Sequence, residues 1–463
     1  MRPATARPRP AILTRSAGGR VPLPGYAAPA ASAARGPSVT EQLFLAFGLF
    51  VMQGAFLSIL ITTSDDERSD TGASDALHMA AFAVLLVITC IFTVRHFKAM
   101  RQGIASSGVF FLLPALAIVS TVWSVAPGLT LKRGILLTGV SMFDLYVAYR
   151  IGLDRLFSLT SKTVFVTAIA SVAFALLLPT IGREIKEGLS GDWRGVFPQK
   201  NALGHVMSVG ATVELLIMVR ARRFKVGAIL RFCLCTTLAA LAHSASSLLA
   251  ITLALVLAGG YVAFRRGLAT GIVASIAGCA LVALLVGIAS LDASGGFSLL
   301  ERDASLSGRT DLWEMIAGLV QQHGLFGWGF MAFWRADNPE VRYIQDVLRW
   351  DAPNAHNGYL DFALSLGLFG LAAYCLVMGW AVRRARLTLH REDLGAIVAI
   401  LLAQFTIANL SESFMVDPSV FGWNLLTIVI LKTGFALREA EPAPGAGRAP
   451  ILLRARARDA VGG

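Results

Sequence analysis

Residues 351–380 read DAPNAHNGYLDFALSLGLFGLAAYCLVMGW. From Gly358 to Trp380 the run is apolar, and at 1.5 Å per residue it is long enough to cross a bilayer as a helix. Immediately before it stand His356 and Asn357. A titratable imidazole at the mouth of a membrane helix needs a chemical reason.

Runs of the same kind recur along the chain. It has 463 residues, of which 55% are hydrophobic and only 15% charged, with a mean hydropathy of +0.65. Candidate spans fall at about 41–62, 75–95, 104–122, 130–149, 159–179, 201–219, 226–244, 246–264, 268–290, 358–381, 393–413 and 418–436. The expected fold is all-α, a polytopic integral membrane protein with about twelve transmembrane helices. A β-barrel would alternate polar and apolar residues, and no such alternation is present.

The net charge of +12 would suggest nucleic acid on a soluble protein. Here the distribution of Lys and Arg explains it, and no nucleic-acid partner is expected. The loops alternate in charge. DDERSD at 65–70 is acidic, whereas RHFKAMR, RARRFK, FRRG and RRARLTLHRE are basic. The basic loops fall on the same side as the Arg-rich N-terminal tail. Both termini are therefore expected in the cytoplasm. Residues 1–40 lack the apolar core of a secretory signal and read as a disordered tail, as do residues 437–463. A single membrane domain occupies 41–436. The five cysteines all lie in apolar runs and read as small core residues, without metal spacing or a disulfide framework.

Two outer loops depart from the charge rule, 180–200 and the much longer 291–357. The long loop has its own helical signals. Asp311 and Glu314 have the spacing of a capping box, and Leu312, Met315, Ile316, Leu319 and Val320 follow as an apolar stripe. A second amphipathic helix is expected from Asn338 and Pro339, with Val341, Ile344 and Leu348 on its apolar face.

The chemistry-bearing residues gather on this outer face. His356, near a helix N-terminus, would feel a positive dipole end that disfavours imidazolium, which suits a general base. The alternative is a polar interface residue bonded to a loop. Arg309, read as lying just before the Asp311 helix, could grip an anion with two hydrogen bonds, or could pair with Asp303 or Asp311. Arg194, with Lys200 and Asn201 close by, leads into the sixth span and could do the same, or pair with Asp192 or Glu187. Lys132 and Arg133, on the outer end of the fourth span, are either further anion contacts or snorkelling anchors. Asn357 is a supporting candidate beside His356.

Other features carry less. His205, His243 and His323 lack metal-ligand spacing with one another. FGWGF at 326–330 reads as a turn, and Gly367 and Gly370 as points of close helix packing. Asp144, Glu214 and Arg231 are expected toward cytoplasmic ends, within reach of water. The sequon at Asn409 falls inside an expected span and is discounted. The two halves show no internal repeat, which counts against a lipid-linked sugar transporter.

Together these segments resemble a known family. His356-Asn357, nine residues, then Gly367-x-x-Gly370 resembles the signature of bacterial O-antigen ligases. WRGVFPQKNALG, then SGRTDLWEMIAGLVQQHGLFGWGF, then NAHNGYLDFALSLGLFG resembles the wider O-antigen ligase and polymerase superfamily. GRTDLW, GWGF and WSVAPGLTLKR look most like its exopolysaccharide-polymerase branch. The resemblance implies an inverting glycosyltransferase of the bacterial inner membrane that needs no cofactor and no metal. Its partners would be an undecaprenyl-diphosphate-linked oligosaccharide, an acceptor glycan and the lipid bilayer, with a chain-length regulator as a candidate partner. By motif, His356 would be the base and Arg194 and Arg309 the diphosphate contacts, on the periplasmic face. A polymerase is the leading expectation, with a ligase to the lipid A core as the alternative.

Overall fold

The computed structural model describes residues 36–55, 71–184, 191–273, 276–278, 306–349, 352–391 and 393–438. Most of both expected tails, the acidic loop at 65–70, most of the expected span 268–290 and the first part of the long loop lie outside the described residues. Within them the fold is all-α, with a single isolated bridge between Arg183 and Trp193.

The first half of the chain supplies α1 (Val39–Val51), α2 (Thr71–Arg95), α3 (Phe97–Ser107) and α4 (Leu112–Val119), then α5 (Pro127–Arg150) and α6 (Leu153–Leu177). Next come α7 (Lys200–Ala221), α8 (Val226–Leu241) and α9 (Ala245–Phe264). The long loop contains α10 (Leu306–Gln322) and α11 (Pro339–Leu348), and α12 (Gly358–Leu387), α13 (Leu394–Ala408) and α14 (Phe421–Arg438) follow.

Four of these, α6, α7, α9 and α12, are long and apolar enough to cross a membrane. A fifth is added if Met79–Arg95 and Phe97–Ser107, bent by 99°, form one broken span. The expected count of about twelve is thus not established by the described helices. The apolar stretch at 104–122 is not one helix. It divides at residues 108–111 between α3 and α4, and α4 ends in a 3₁₀ turn at Ser120–Val122. In the expected span 41–62 the described helix ends at Val51, before a turn at 52–55, and in 393–413 the helix ends at Ala408.

Packing explains the order. α7 has 83% of its apolar window buried and lies among α6, α8, α9 and α14. Its buried run from Leu203 to Leu216 includes Gly204 and Gly210. A helix apolar on all sides must sit inside the bundle.

The two ends of the bundle differ. One end is laced by basic side chains. Arg150 meets Glu41 at 2.9 Å, Arg220 meets Asp154 at 2.7 Å and Arg265 meets Asp393 at 3.2 Å. Lys432 donates to the carbonyls of Ala148 and Ile151. The other end carries the N-terminus of α12 and the long loop.

That loop builds a small core of its own. Leu312, Ile316 and Leu319 from α10 pack with Val341 and Ile344 from α11, and Trp328, Phe333 and Leu364 complete the cluster. The expected stripes are therefore the ones buried. Asn338 caps α11, its side chain accepting from the Glu340 amide at 3.1 Å. Asp311, by contrast, is not a cap. α10 starts at Leu306, so both Asp311 and Arg309 lie inside it.

The loop is locked into α12 by a break in that helix. Gly367 has φ 61° and ψ −159°, which opens the ladder. The segment 324–329 fills the gap. The amides of Trp328 and Gly329 donate to the carbonyls of Leu364 and Ser365 at 2.9 and 3.0 Å. In return, the amides of Leu368 and Phe369 donate to the carbonyls of Gly324 and Leu325 at 2.9 and 3.2 Å. Four groups freed by the break are thus satisfied by backbone, as a site at membrane depth requires. A Cβ at Gly367 would lie 2.4 Å from the Leu325 carbonyl oxygen. Gly367 is therefore a break site, not merely a place for close helix packing, and FGWGF is the plug that fills it.

Gly367→Ala adds both strain at positive φ and a clash with backbone. We expect a stability loss of about 1–3 kcal/mol, seen as a lower midpoint in thermal unfolding of the detergent-purified protein. Gly379→Ala, at a site with nothing within 4 Å, should leave the midpoint unchanged.

Candidate active site

The site forms where the start of α12 meets the loop after α13. Asn357 is the N-cap of α12, its side-chain oxygen accepting from the amides of Tyr359 and Leu360 at 3.0 and 3.2 Å. The preceding residue, His356, is in the left-handed region at φ 47°. Asn354 holds it there by accepting from the His356 amide at 2.9 Å. Trp313 of α10 donates its indole N–H to the Ala355 carbonyl at 2.8 Å. Asp361, one turn into α12, accepts from the Ala355 amide at 3.0 Å, from Trp334 Nε1 at 2.6 Å and from the Ser413 hydroxyl. A single carboxylate thus ties the long loop, α12 and the loop after α13 together.

That last loop is clamped from the other side as well. The Gly358 amide donates to the carbonyls of Asn409 and Glu412 at 2.9 and 3.0 Å. Asn409, the C-cap of α13, is fully buried and accepts from the Phe414 amide at 3.0 Å. Its sequon lies just beyond the helix, not inside a span, but its side chain is committed.

The clamp delivers Glu412, a residue that sequence reasoning missed. Glu412 is 5% exposed. Oε1 accepts from Asn201 Nδ2 at 2.7 Å and lies 4.0 Å from Arg309 Nη2. Oε2 lies 3.6 Å from His356 Nδ1. Arg309 Nη1 also donates to the Ser411 carbonyl at 3.3 Å. One buried acid therefore gathers His356, Arg309 and Asn201 from three elements distant in sequence.

Other sequence candidates are placed differently. Lys200 begins α7 and its ammonium lies 2.8 Å from Asp192, which also meets His243 at 2.6 Å. Arg194 is bonded to carbonyls, with Nε to Ile181 at 2.8 Å and Nη1 to Pro198 at 3.3 Å. Of the expected carboxylate partners, Asp192 is taken by Lys200 and His243, and Glu187 lies outside the described residues. Among the described residues no hydrogen bond or ion pair joins Arg194 to the Glu412 cluster. Arg133 donates to the Met331 carbonyl, and Lys132 contacts the Met79 sulfur. Arg335 is paired with Asp337 at 2.7 Å, and that hydrogen bond holds the Asp337 carboxyl below its usual range.

Residues 230–375 match the O-antigen ligase family model. The matched stretch contains Arg309, His356, Asn357 and the Gly367 break. It excludes Asn201 and Glu412, so the cluster joins matched and unmatched parts of the chain. No curated protein matches. The match supports the O-antigen ligase and polymerase superfamily and with it an enzyme of glycan assembly that handles lipid-linked glycans in a membrane. It does not distinguish the exopolysaccharide-polymerase branch.

Asp361→Ala would leave Trp334 Nε1, the Ala355 amide and the Ser413 hydroxyl without this acceptor. A cost of about 1–3 kcal/mol is expected for the buried donors. Limited proteolysis should then cut faster between residues 331 and 356 than in the parent protein.

Proposed function

We propose that the protein is a polysaccharide polymerase that transfers a glycan from an undecaprenyl-diphosphate-linked donor to a sugar hydroxyl, on the periplasmic side of the inner membrane. The observation that carries this reading is the meeting of His356, Arg309 and Glu412 at the mouth of α12. A base, a cation and a buried acid stand together at the end of the bundle away from its basic, laced end.

In the proposed reaction, His356 Nε2 accepts the proton of the acceptor hydroxyl. The oxygen attacks the anomeric carbon in line as the bond to the diphosphate breaks, and the electron pair leaves with the lipid diphosphate. The configuration inverts. Glu412, beside Nδ1, stabilises the imidazolium that forms and keeps the ring oriented. Arg309 offsets the charge developing on the diphosphate. Asn201 keeps the Glu412 carboxylate in position. The first anion contact is thus Arg309, with Arg194 acting from the adjoining 180–200 loop if the donor reaches it. A chain-length regulator and an acceptor glycan would meet the same face.

Transfer of a finished glycan to the lipid A core is the second reading, favoured by the ligase description of the matched family. The lipid-linked glycans of a strain whose only copy carries His356→Ala separate the two, once membrane expression is confirmed. Single lipid-linked repeats without polymer are expected. Long lipid-linked chains missing from lipid A would mean a ligase, and an unchanged profile would remove His356 from the chemistry. In a purified assay, Arg309→Ala should lower kcat/KM by roughly 100-fold or more, the scale of a lost charge-stabilising donor.

A further inference from the structure

A polar cavity lies far from His356. It has a volume of about 660 Å³ and is lined by Lys162, Arg220, Arg223, Lys225 and Arg231, with Asp154 the one carboxylate in its lining. It is formed by α6, α7, α8 and the turn between α7 and α8. Arg220 and Asn201 are both on α7, 19 residues apart, which places the cavity about 28 Å along the helix from the Glu412 cluster. It is therefore a separate site at the opposite, basic end.

Two of the five cations are already neutralised. Arg220 binds Asp154 through Nε and Nη2 at 2.7 and 3.1 Å. Arg231 binds the buried Glu214 through Nε and Nη2 at 2.8 and 3.2 Å, and Ser161 also donates to Glu214. Arg231 thus lines the cavity with its charge met from behind by Glu214, which is buried, not simply within reach of water. Among the described residues, Lys162, Arg223 and Lys225 have no carboxylate within 4.0 Å. Three cations without a close ion-pair partner among the described residues line one cavity, with Asp154 acting on Lys225 only at longer range.

Their placement indicates what supplies the missing charge. Lys162 is nine residues into α6, about 13 Å along its axis. It shares that exposed flank with Phe165, Val166 and Ile169, which are 41%, 56% and 48% exposed. In the turn, Arg223 and Lys225 alternate with Phe224 and Val226, which are 86% and 73% exposed. Apolar side chains this bare suit the acyl and headgroup boundary of a bilayer, and an ammonium inside an apolar span requires a polar partner.

We propose that this cavity binds the phosphate of an anionic phospholipid headgroup, with Lys162 from within the span and Arg223 and Lys225 from the turn as its contacts. Arg220 and Arg231, fixed by Asp154 and Glu214, form the rigid wall behind it. The lipid tails lie along the Phe165 flank of α6. Basic pockets between membrane helices recognise lipids in this way.

The test uses the full-length protein purified in a non-ionic detergent, with bound lipid counted by native mass spectrometry. Phosphatidylglycerol should be retained over phosphatidylcholine roughly tenfold or more. The triple variant Lys162→Ala, Arg223→Ala, Lys225→Ala should lose that preference. A control that removes the same charge from other exposed basic positions, Lys98→Ala, Arg101→Ala, Arg266→Ala, should keep it. The two turn substitutions alone, Arg223→Ala with Lys225→Ala, should weaken retention by roughly threefold or more without touching a helix interior. Equal loss in both triple variants would reduce the effect to general charge and overturn the site. Displacement of the lipid by equimolar inorganic phosphate would overturn the lipid assignment in favour of a free anion.

Discussion

The break at Gly367 is the constraint on which the outer half of the molecule depends. An unbroken α12 would leave the segment 324–329 without partners. The four backbone bonds across the break instead make the loop part of the helix. Trp328 is then carried into the loop core, and Phe330 and Met331 are turned toward Ser120 and Ser365, whose hydroxyls accept their amides at 3.1 and 3.3 Å. The Val125 amide donates to the Trp328 carbonyl at 3.1 Å, which adds the start of α5 to the same junction. α10 and α11 are therefore held against the mouth of α12 by backbone, and Arg309 has a fixed platform. A flexible loop would have to spend conformational entropy to bring its guanidinium to Glu412 on every cycle.

The acid itself could not be placed by hydropathy. Glu412 sits within an apolar stretch that reads as one span to residue 413, and a single acid there looks like the end of a helix. α13 in fact stops at Ala408, where Asn409 turns the chain. The acid then points back into the bundle. The clue present in the sequence was the polar run NLSES following a long apolar helix. His356 and Asn357 were legible because they interrupt polarity sharply at the mouth of an apolar run. The stripes of α10 and α11 were legible because amphipathic spacing is a local property. Gly367 was visible as a glycine, but whether it lets two helices approach or opens one of them depends on a segment forty residues earlier. The division of 104–122 was hidden for a related reason: the residues at the break, GVFF at 108–111, are themselves mostly apolar, and only the tertiary path separates α3 from α4.

The cations expected on the outer face, which sit awkwardly with the positive-inside rule, have a local explanation. Arg194 bonds the carbonyls of Ile181 and Pro198 through Nε and Nη1, Lys200 pairs with Asp192, Arg335 pairs with Asp337 and Arg133 donates to the Met331 carbonyl. Each holds a loop in shape. Arg309 differs, because its carboxylate partner is 4.0 Å away and is shared with His356 and Asn201. A pair this loose retains little directional bonding. In the proposed reaction an incoming diphosphate would take the guanidinium at the cost of only the 3.3 Å bond to the Ser411 carbonyl, while Glu412 would keep its contact with Asn201 and its place beside the imidazole. On that proposal the same acid would balance Arg309 before the substrate binds and the His356 ring during proton transfer. That exchange of roles requires the carboxylate to be buried and held by backbone, which is what the clamp from Gly358 and the Asn409 turn provide.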